Sequence, residues 1–466
     1  FYMVVSALFV TLICSIGVLV RVVKSGTIHY YLGSWDPPWG IAYLIDKLNA
    51  YIIVIVAIIA FLVALYSKKS VENEIPEHKI PQLYTLFLLN VTGLIGISAT
   101  GDLFNLYVLI EIASFSAYAL IAVGEKGALY ASFRYVVIGT IGACFYLMGV
   151  GFIYIMTGTL NMADATRLLQ PLYQSRVIHM AFAFLVIGIS IKMAMYPLHI
   201  WLPDAYTHAP SAISAFMAST MTKVGCYILI RIMYYVFEPY FAVSMMPVAT
   251  ILGWLAVAGM IVASVYAIAQ NDFKRMLAYS AVAQIGYIVL GIALANIAGL
   301  TGALLHILNE AFTKGCLFLI AGAIMYKLKT RSIDQFKNLF WKMPFTMIAF
   351  IIAAFSMIGI PPTCGFFSKL YLLIGSLEAK QWFFVAAILI STVLNVVYFF
   401  GVIRSVFFKP ALQNDEGSDQ TVFASEIPLS MLVVIWIMAL GILFFGVFSG
   451  QIVDKIIQFA IPKGIL

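Results

Sequence analysis

About thirteen apolar runs, each long enough to cross a bilayer, leave this chain one class of fold. They lie at about 1–23, 41–66, 82–99, 103–123, 129–157, 177–201, 211–236, 241–269, 276–294, 296–326, 344–376, 381–408 and 427–449. A backbone inside hydrocarbon must satisfy its own polar groups, so runs of this length become helices. The expectation is an all-α polytopic membrane protein with about 13–14 transmembrane helices. Composition agrees: 63% of the 466 residues are hydrophobic and 10% charged, against about 25% charged in soluble domains. The net charge of +7 is scattered over short connections. That is the pattern of cytoplasmic loops, and it excludes the clustered basic face that binds nucleic acid.

Cysteine and histidine narrow the chemistry. Cys14, Cys144, Cys226, Cys316 and Cys364 all lie in apolar segments and form no Cys-x-x-Cys pair. This argues against a disulfide framework, a zinc site or an iron–sulfur cluster held by this chain. Haem needs paired axial ligands, and His29, His78, His179, His199, His208 and His306 form no convincing pair across neighbouring spans. No cofactor is expected on the chain itself. Between the first two runs, residues 25–40 carry alternation and turn residues and predict a short hairpin outside the bilayer. The last seventeen residues read as an interfacial tail.

If the spans alternate, fourteen lysines and arginines fall on one side and nine on the other. The first set runs from Lys68 through Lys126 to Lys409, the second from Arg21 to Lys463. The positive-inside rule puts the larger set in the cytoplasm and the C-terminus outside. Phe1 then starts inside, which points to a helix preceding it.

The ionisable groups inside the spans are more informative. Lys192, Lys223, Lys314, Lys369, Glu111, Glu310 and His306 all fall within apolar runs. A charge at mid-membrane depth costs about 2.5–3.5 kcal/mol on insertion scales and marks a functional site by default. His306, Glu310 and Lys314 are spaced i, i+4, i+8 and share one helix face. Lys192 precedes Pro197 in one interrupted run, and Lys369 follows Pro361, Pro362 and Gly365 in another. Broken helices at matching places in two halves point to an inverted repeat with a midplane site. The expected division is 1–81 for the N-terminal spans and hairpin, 82–236 and 241–408 for two five-span halves, and 409–466 for the last span and tail. An odd number of spans per half forces opposite topology.

Several long stretches carry a family resemblance: GDLFNLYVLIEIASFSAYALI (101–121), KMAMYPLHIWLPDAYTHAPSAISA (192–215), TKVGCYILIR (222–231), NDFKRMLAYSAVAQIGYIVLG (271–291), HILNEAFTKGCLFLIAGAI (306–324) and GIPPTCGFFSKLYLL (359–373). In this order they resemble the antiporter-like subunits of Mrp Na⁺/H⁺ antiporters, complex I and membrane-bound hydrogenases. The stretches PPWGIAYLIDKLNA, TKVGCY and GTLNMADA look most like the Mrp D subunit. The resemblance implies two inverted five-helix repeats, each with a broken helix. It also implies a place among the other membrane subunits of a complex in a prokaryotic plasma membrane. The implied function is proton transport, with exchange for Na⁺ left open. The implied path residues are Glu111, Lys192, Lys223, His306, Lys314 and Lys369. Some relatives have a second histidine where this chain has Glu310.

Lysine suits such a path in general terms: burial disfavours an ammonium and a nearby carboxylate restores it. Glu111–Lys192 is expected to form the switch and Lys223 the receiver, with onward passage through His306 and Lys314 to Lys369. Plainer readings stand beside this one. Lys192 could hold carbonyls freed by the helix break. Glu111 could be a packing group, and Lys223 and Lys369 could snorkel from span ends. Lys314 and Glu310 could form a local ion pair, and His306 could be a core histidine. Asp46, Asp102 and Asp204 read as caps, Asp272 with Lys274 and Arg275 as a solvated loop, and His199 and His208 as caps or an entrance lining. The rival functions are a redox-enzyme subunit binding quinone or haem, an inert scaffold, and an independent solute carrier.

Overall fold

The computed structural model describes residues 1–124, 127–407, 426–462 and 464–465. Helix α1 (Tyr2–Ser25) leads into strands β1 (Ile28–Tyr31) and β2 (Ala42–Ile45), which pair antiparallel from Ile28–Ile45 to Tyr31–Ala42. The hairpin therefore extends past residue 40, and the second span begins later than residue 41. Asp46 ends the strand and caps α2 (Lys47–Glu74) in a reciprocal box with Asn49, so helix cannot start before Lys47. Then follow α3 (Ile80–Ala99), α4 (Leu103–Ala122), α5 (Ala128–Thr157), the short α6 (Met162–Leu169), α7 (Arg176–Lys192), α8 (Trp201–His208) and α9 (Ser211–Arg231). The remainder comprises α10 (Val248–Ile268), α11 (Phe273–Ala293), α12 (Ile297–Leu328), the single turn α13 (Leu339–Lys342), α14 (Pro344–Ile358), α15 (Cys364–Glu378), α16 (Trp382–Phe407) and α17 (Leu429–Val447). The span expected from 241 starts at Val248, because Tyr240–Met245 forms a separate wide turn that Pro247 closes off.

Among the described residues eleven helices are long and apolar enough to cross a membrane. The pairs α7/α8 and α14/α15 make two broken spans. Lys126, Lys409 and Lys463 of the charge pattern lie outside the described residues, as does 409–425 of the C-terminal segment.

Burial sorts the helices into a centre and a rim. The most apolar stretch of α12 is wholly buried and that of α1 is 17% buried. Helices α2, α9 and α11 line α12, and the hydroxyls of Tyr51 and Tyr66 on α2 donate to its Leu304 and Leu319 carbonyls at 3.0 and 2.8 Å. Helices in lipid gain little from the hydrophobic effect and associate through close contact. Helices α5 and α7 meet where a Cβ on Gly188 would lie 2.7 Å from the Gly142 carbonyl oxygen.

The same clasp occurs twice. Leu103 N donates to Leu160 O at 2.8 Å and Met162 N to Gly101 O at 2.9 Å, with Asp102 capping α4. Phe273 N donates to Arg331 O and Ile333 N to Asn271 O, both at 2.9 Å, with Asp272 capping α11. Counting spans, the two clasps stand at opposite ends of the bundle. Asp272 is thus a cap paired with Arg331 at 3.1 Å, and Lys274 is a buried first-turn residue of α11. The expected solvated loop is not formed there, because the clasp carries the chain straight into the helix.

Candidate proton path

Glu111 lies in the third turn of α4, and Lys192 is the last residue of α7. The Lys192 ammonium donates to Glu111 Oε1 at 3.0 Å and to Ser114 Oγ at 2.9 Å. Helix α7 ends at Lys192, before Pro197 is reached. The chain crosses 193–200 without regular helix and resumes at Trp201. The Trp201 indole N–H donates to the Ile191 carbonyl at 3.0 Å, which also accepts from Ala194 N at 3.1 Å, and its ring stacks on Tyr135 at 3.7 Å. The backbone at this break is therefore served by Trp201 and Ala194, while the lysine serves the carboxylate.

The second break works differently. Helix α14 ends at Gly359, whose φ of 94° only glycine adopts without strain. Lys369, in the second turn of α15, donates to the Met357 and Ile358 carbonyls at 2.7 and 3.1 Å. Its ammonium lies 4.9 Å from the Tyr287 ring centroid. A cation at the C-terminal end of a half-helix meets the negative end of the dipole. Lys369 is 5% exposed and reaches no span end, so it does not snorkel. The role of binding freed carbonyls, considered above for Lys192, belongs to Lys369.

The lysines between these breaks are held by neutral groups and one acid. On α9, Lys223 donates to Ala218 O at 2.6 Å and lies 3.8 Å from Glu310 Oε2. It is 2% exposed, so it does not snorkel either. Lys314 on α12 donates to Ser280 Oγ and to Leu277 O, the latter at 3.3 Å. The carboxylate of Glu310 faces Lys223 across helices, whereas the Lys314 ammonium bonds α11. A local α12 ion pair is therefore not the geometry found.

His306 is held from both sides: Nδ1 is 2.9 Å from Ser368 Oγ and Nε2 is 3.0 Å from Gln284 Oε1. An amide oxygen only accepts, so Nε2 carries a proton and neutral Nδ1 accepts from the serine. Ser368 Oγ also lies 3.1 Å from Gly365 O. If Nδ1 becomes protonated, the hydroxyl can turn to that carbonyl and accept from the ring. The site therefore accommodates both charge states of the imidazole.

The chain matches known proteins over most of its length. The family described as NADH:quinone oxidoreductase/Mrp antiporter, transmembrane region, matches residues 100–395. This chain belongs to that family. NADH-quinone oxidoreductase subunit N of Desulforudis audaxviator is 49% identical over 440 residues, 93% of this chain and 87% of the relative. A proposed antiporter subunit of Staphylococcus aureus (strain MRSA252), mnhD2, is 30% identical over 448 residues, 95% and 87% of the two chains. A chain of the archaeal membrane-bound sulfane sulfur reductase superposes with a TM-score of 0.88 at 31% identity, covering 98% of this chain and 92% of that one. A chain of the Mrp complex of Dietzia sp. DQ12-45-1b gives 0.87 at 23% identity, covering 99% and 91%, which speaks for the fold.

Within this antiporter-family fold the six expected residues fall into two groups. Glu111 and Lys192 form one. Lys223, His306, Lys314 and Lys369 form the other, around Glu310 and Gln284. Lys192 and Lys223 do not touch. A cavity of about 30 Å³ beside Lys192 is lined by Ser114, Tyr135, Met221, Val224 and Gly225 together with apolar side chains of α3 and α4, and Lys223 does not line it.

Sequence reasoning passed over Ser114, Ser280, Gln284, Tyr287 and Ser368. The signal was present in part: Ser280, Gln284 and Tyr287 are spaced i, i+4, i+7 on an otherwise apolar helix.

Asp204 lies in the first turn of α8, inside the helix, and does not cap it. It pairs with Arg134 of α5 at 2.5 Å and Arg275 of α11 at 3.2 Å. Arg331 and Lys274 donate to the Thr207 and Ala209 carbonyls at 2.9 and 2.7 Å. The second piece of the first broken span is thereby tied to α11 and the loop after α12. His199 sits in the break, 7% exposed, with its ring 5.4 Å from Tyr196.

Proposed function

We propose that this chain translocates protons as an antiporter-like subunit of a multisubunit membrane complex, of the Mrp type or the related module of a complex I-like respiratory enzyme. It crosses a prokaryotic plasma membrane many times, and its partners are the other membrane subunits of that complex. The observation that carries the reading is the buried Glu111–Lys192 pair at a helix break, followed inward by further buried ionisable groups. A pair of this cost is retained where it does work.

The proton would rest on Lys192 while the pair is closed. When Glu111 moves away, burial favours release toward Lys223, with water bridging a gap too long for direct hydrogen bonds. From there it would pass by Lys314 and His306 to Lys369, the Ser368 hydroxyl turning as the imidazole loads and unloads. The two halves, 82–236 and 241–408, would each supply one half-channel. The mirrored clasps and the break in the fourth span of each half support that division. Sodium is the alternative or exchanged ion.

The test is proton transport by the assembled complex in proteoliposomes. Lys192→Ala or Glu111→Ala should abolish it while assembly persists, and undiminished transport by both variants would overturn the reading.

A further inference from the structure

The path above uses four lysines and a histidine and gives Glu310 no task. Its position suggests one. Glu310 lies midway along α12 and is fully buried. Neither carboxylate oxygen has a hydrogen-bond partner among the described residues. Lys223 approaches from α9 to 3.8 Å of Oε2, close enough to pair electrostatically but too far to hydrogen-bond. Lys314, one turn further along α12, and Lys369 on α15 also interact with its charge.

One acid thus sits among three amines. Three buried ammonium groups around one carboxylate would leave two uncompensated positive charges, which a low-dielectric interior does not support. The cluster then holds about one ammonium at a time against one carboxylate, and it titrates as a unit. A carboxylate fixed by hydrogen bonds would favour a single partner. Glu310 has no such bond and is committed to none.

We propose that Glu310 is the shared counter-charge of Lys223, Lys314 and Lys369, beside which a proton passes from one lysine to the next without a change in the net charge of the cluster. It is a positioning residue that acts through the lysines. It also joins the halves, because Lys223 belongs to the first and Lys314 and Lys369 to the second. The inference rests on the proton-path reading above.

The experiment compares Glu310→Gln, Glu310→Asp, Lys223→Met and the double variant Glu310→Gln/Lys223→Met, with Lys192→Ala as control, for proton transport by the assembled complex in proteoliposomes. Glu310→Gln should lower transport by about tenfold or more, and Glu310→Asp, which keeps the charge, should stay within about threefold of the parent. The double variant should lose no more than the worse single change, as expected for residues that act together. Should Glu310→Gln fail to assemble, Glu310→Asp and the double variant carry the test, since the double variant removes anion and cation together. Parent-level transport by Glu310→Gln, equal loss in Glu310→Asp, or multiplied losses in the double variant would overturn the counter-charge. If Lys192→Ala is inactive while Glu310→Gln is not, only this inference falls. If both transport normally, the path reading falls with it.

Discussion

The two helix breaks hold their lysines by different physics. At the first, Lys192 meets a carboxylate at 3.0 Å and a serine at 2.9 Å, and a tryptophan satisfies the broken backbone. At the second, Lys369 satisfies the broken backbone itself, at 2.7 and 3.1 Å from two carbonyls. An ion pair can be opened by moving one side chain. A lysine bound to a helix end can let go only if the break itself yields or another donor replaces it. In the proposed path the first site would act as a switch, and the second as a station whose occupancy is coupled to backbone shape.

Variants can break or sharpen this contrast. The largest effect should come from Glu111→Gln, which leaves Lys192 with only Ser114. Proton transport in proteoliposomes should fall by about a hundredfold or more, the scale of losing a positioned acid–base partner. Replacing both Glu111→Gln and Lys192→Met should be as inactive, yet thermal unfolding of the purified complex should change little, because removing a whole buried pair is often neutral. Strong destabilisation of that double variant would show that the pair holds the fold.

Lys369→Met should lower transport by about tenfold or more and also destabilise, by about 1–3 kcal/mol, since the buried Ile358 carbonyl loses its lysine donor and the Met357 carbonyl keeps only Asn395 at 3.2 Å. A thermal shift equal to that of the Glu111/Lys192 double variant would erase the distinction drawn above. Ser368→Ala removes the hydroxyl that follows the charge of His306, and transport should fall by about tenfold or less. Unchanged rates would mean that the histidine does not load. The smallest effect is expected for Trp201→Phe. It keeps the stacking on Tyr135 and loses one hydrogen bond, for about 1 kcal/mol of stability, read as a modest fall in unfolding temperature.

Much of this was visible before any coordinates. The lengths of the apolar runs dictate the crossings, and each charge inside a run is dear enough to flag itself. Glu111, Lys192, Lys223, His306, Lys314 and Lys369 were all found in that way, and the proline-rich interruptions located both breaks to within a few residues. The residues that were missed are small and neutral. Ser114, Ser280, Gln284 and Ser368 cost little to bury once bonded, so their types carry no alarm. Helix starts were misread at Lys47 and Val248 because a strand and a wide turn can be as apolar as a span. Lys274 looked solvated because its burial depends on the end of α8, where it donates to the Ala209 carbonyl, far away in the chain.

The sequence alone determined that the chain is a membrane bundle with two interrupted spans and a set of ionisable groups inside it, because length, apolarity and the cost of buried charge are local properties. The Glu111–Lys192 pair was already expected; only the tertiary structure decided that Lys223 answers Glu310 and Lys369 the end of a half-helix. Those pairings join residues far apart in the chain, and their distances follow from how the helices cross, which no local pattern records.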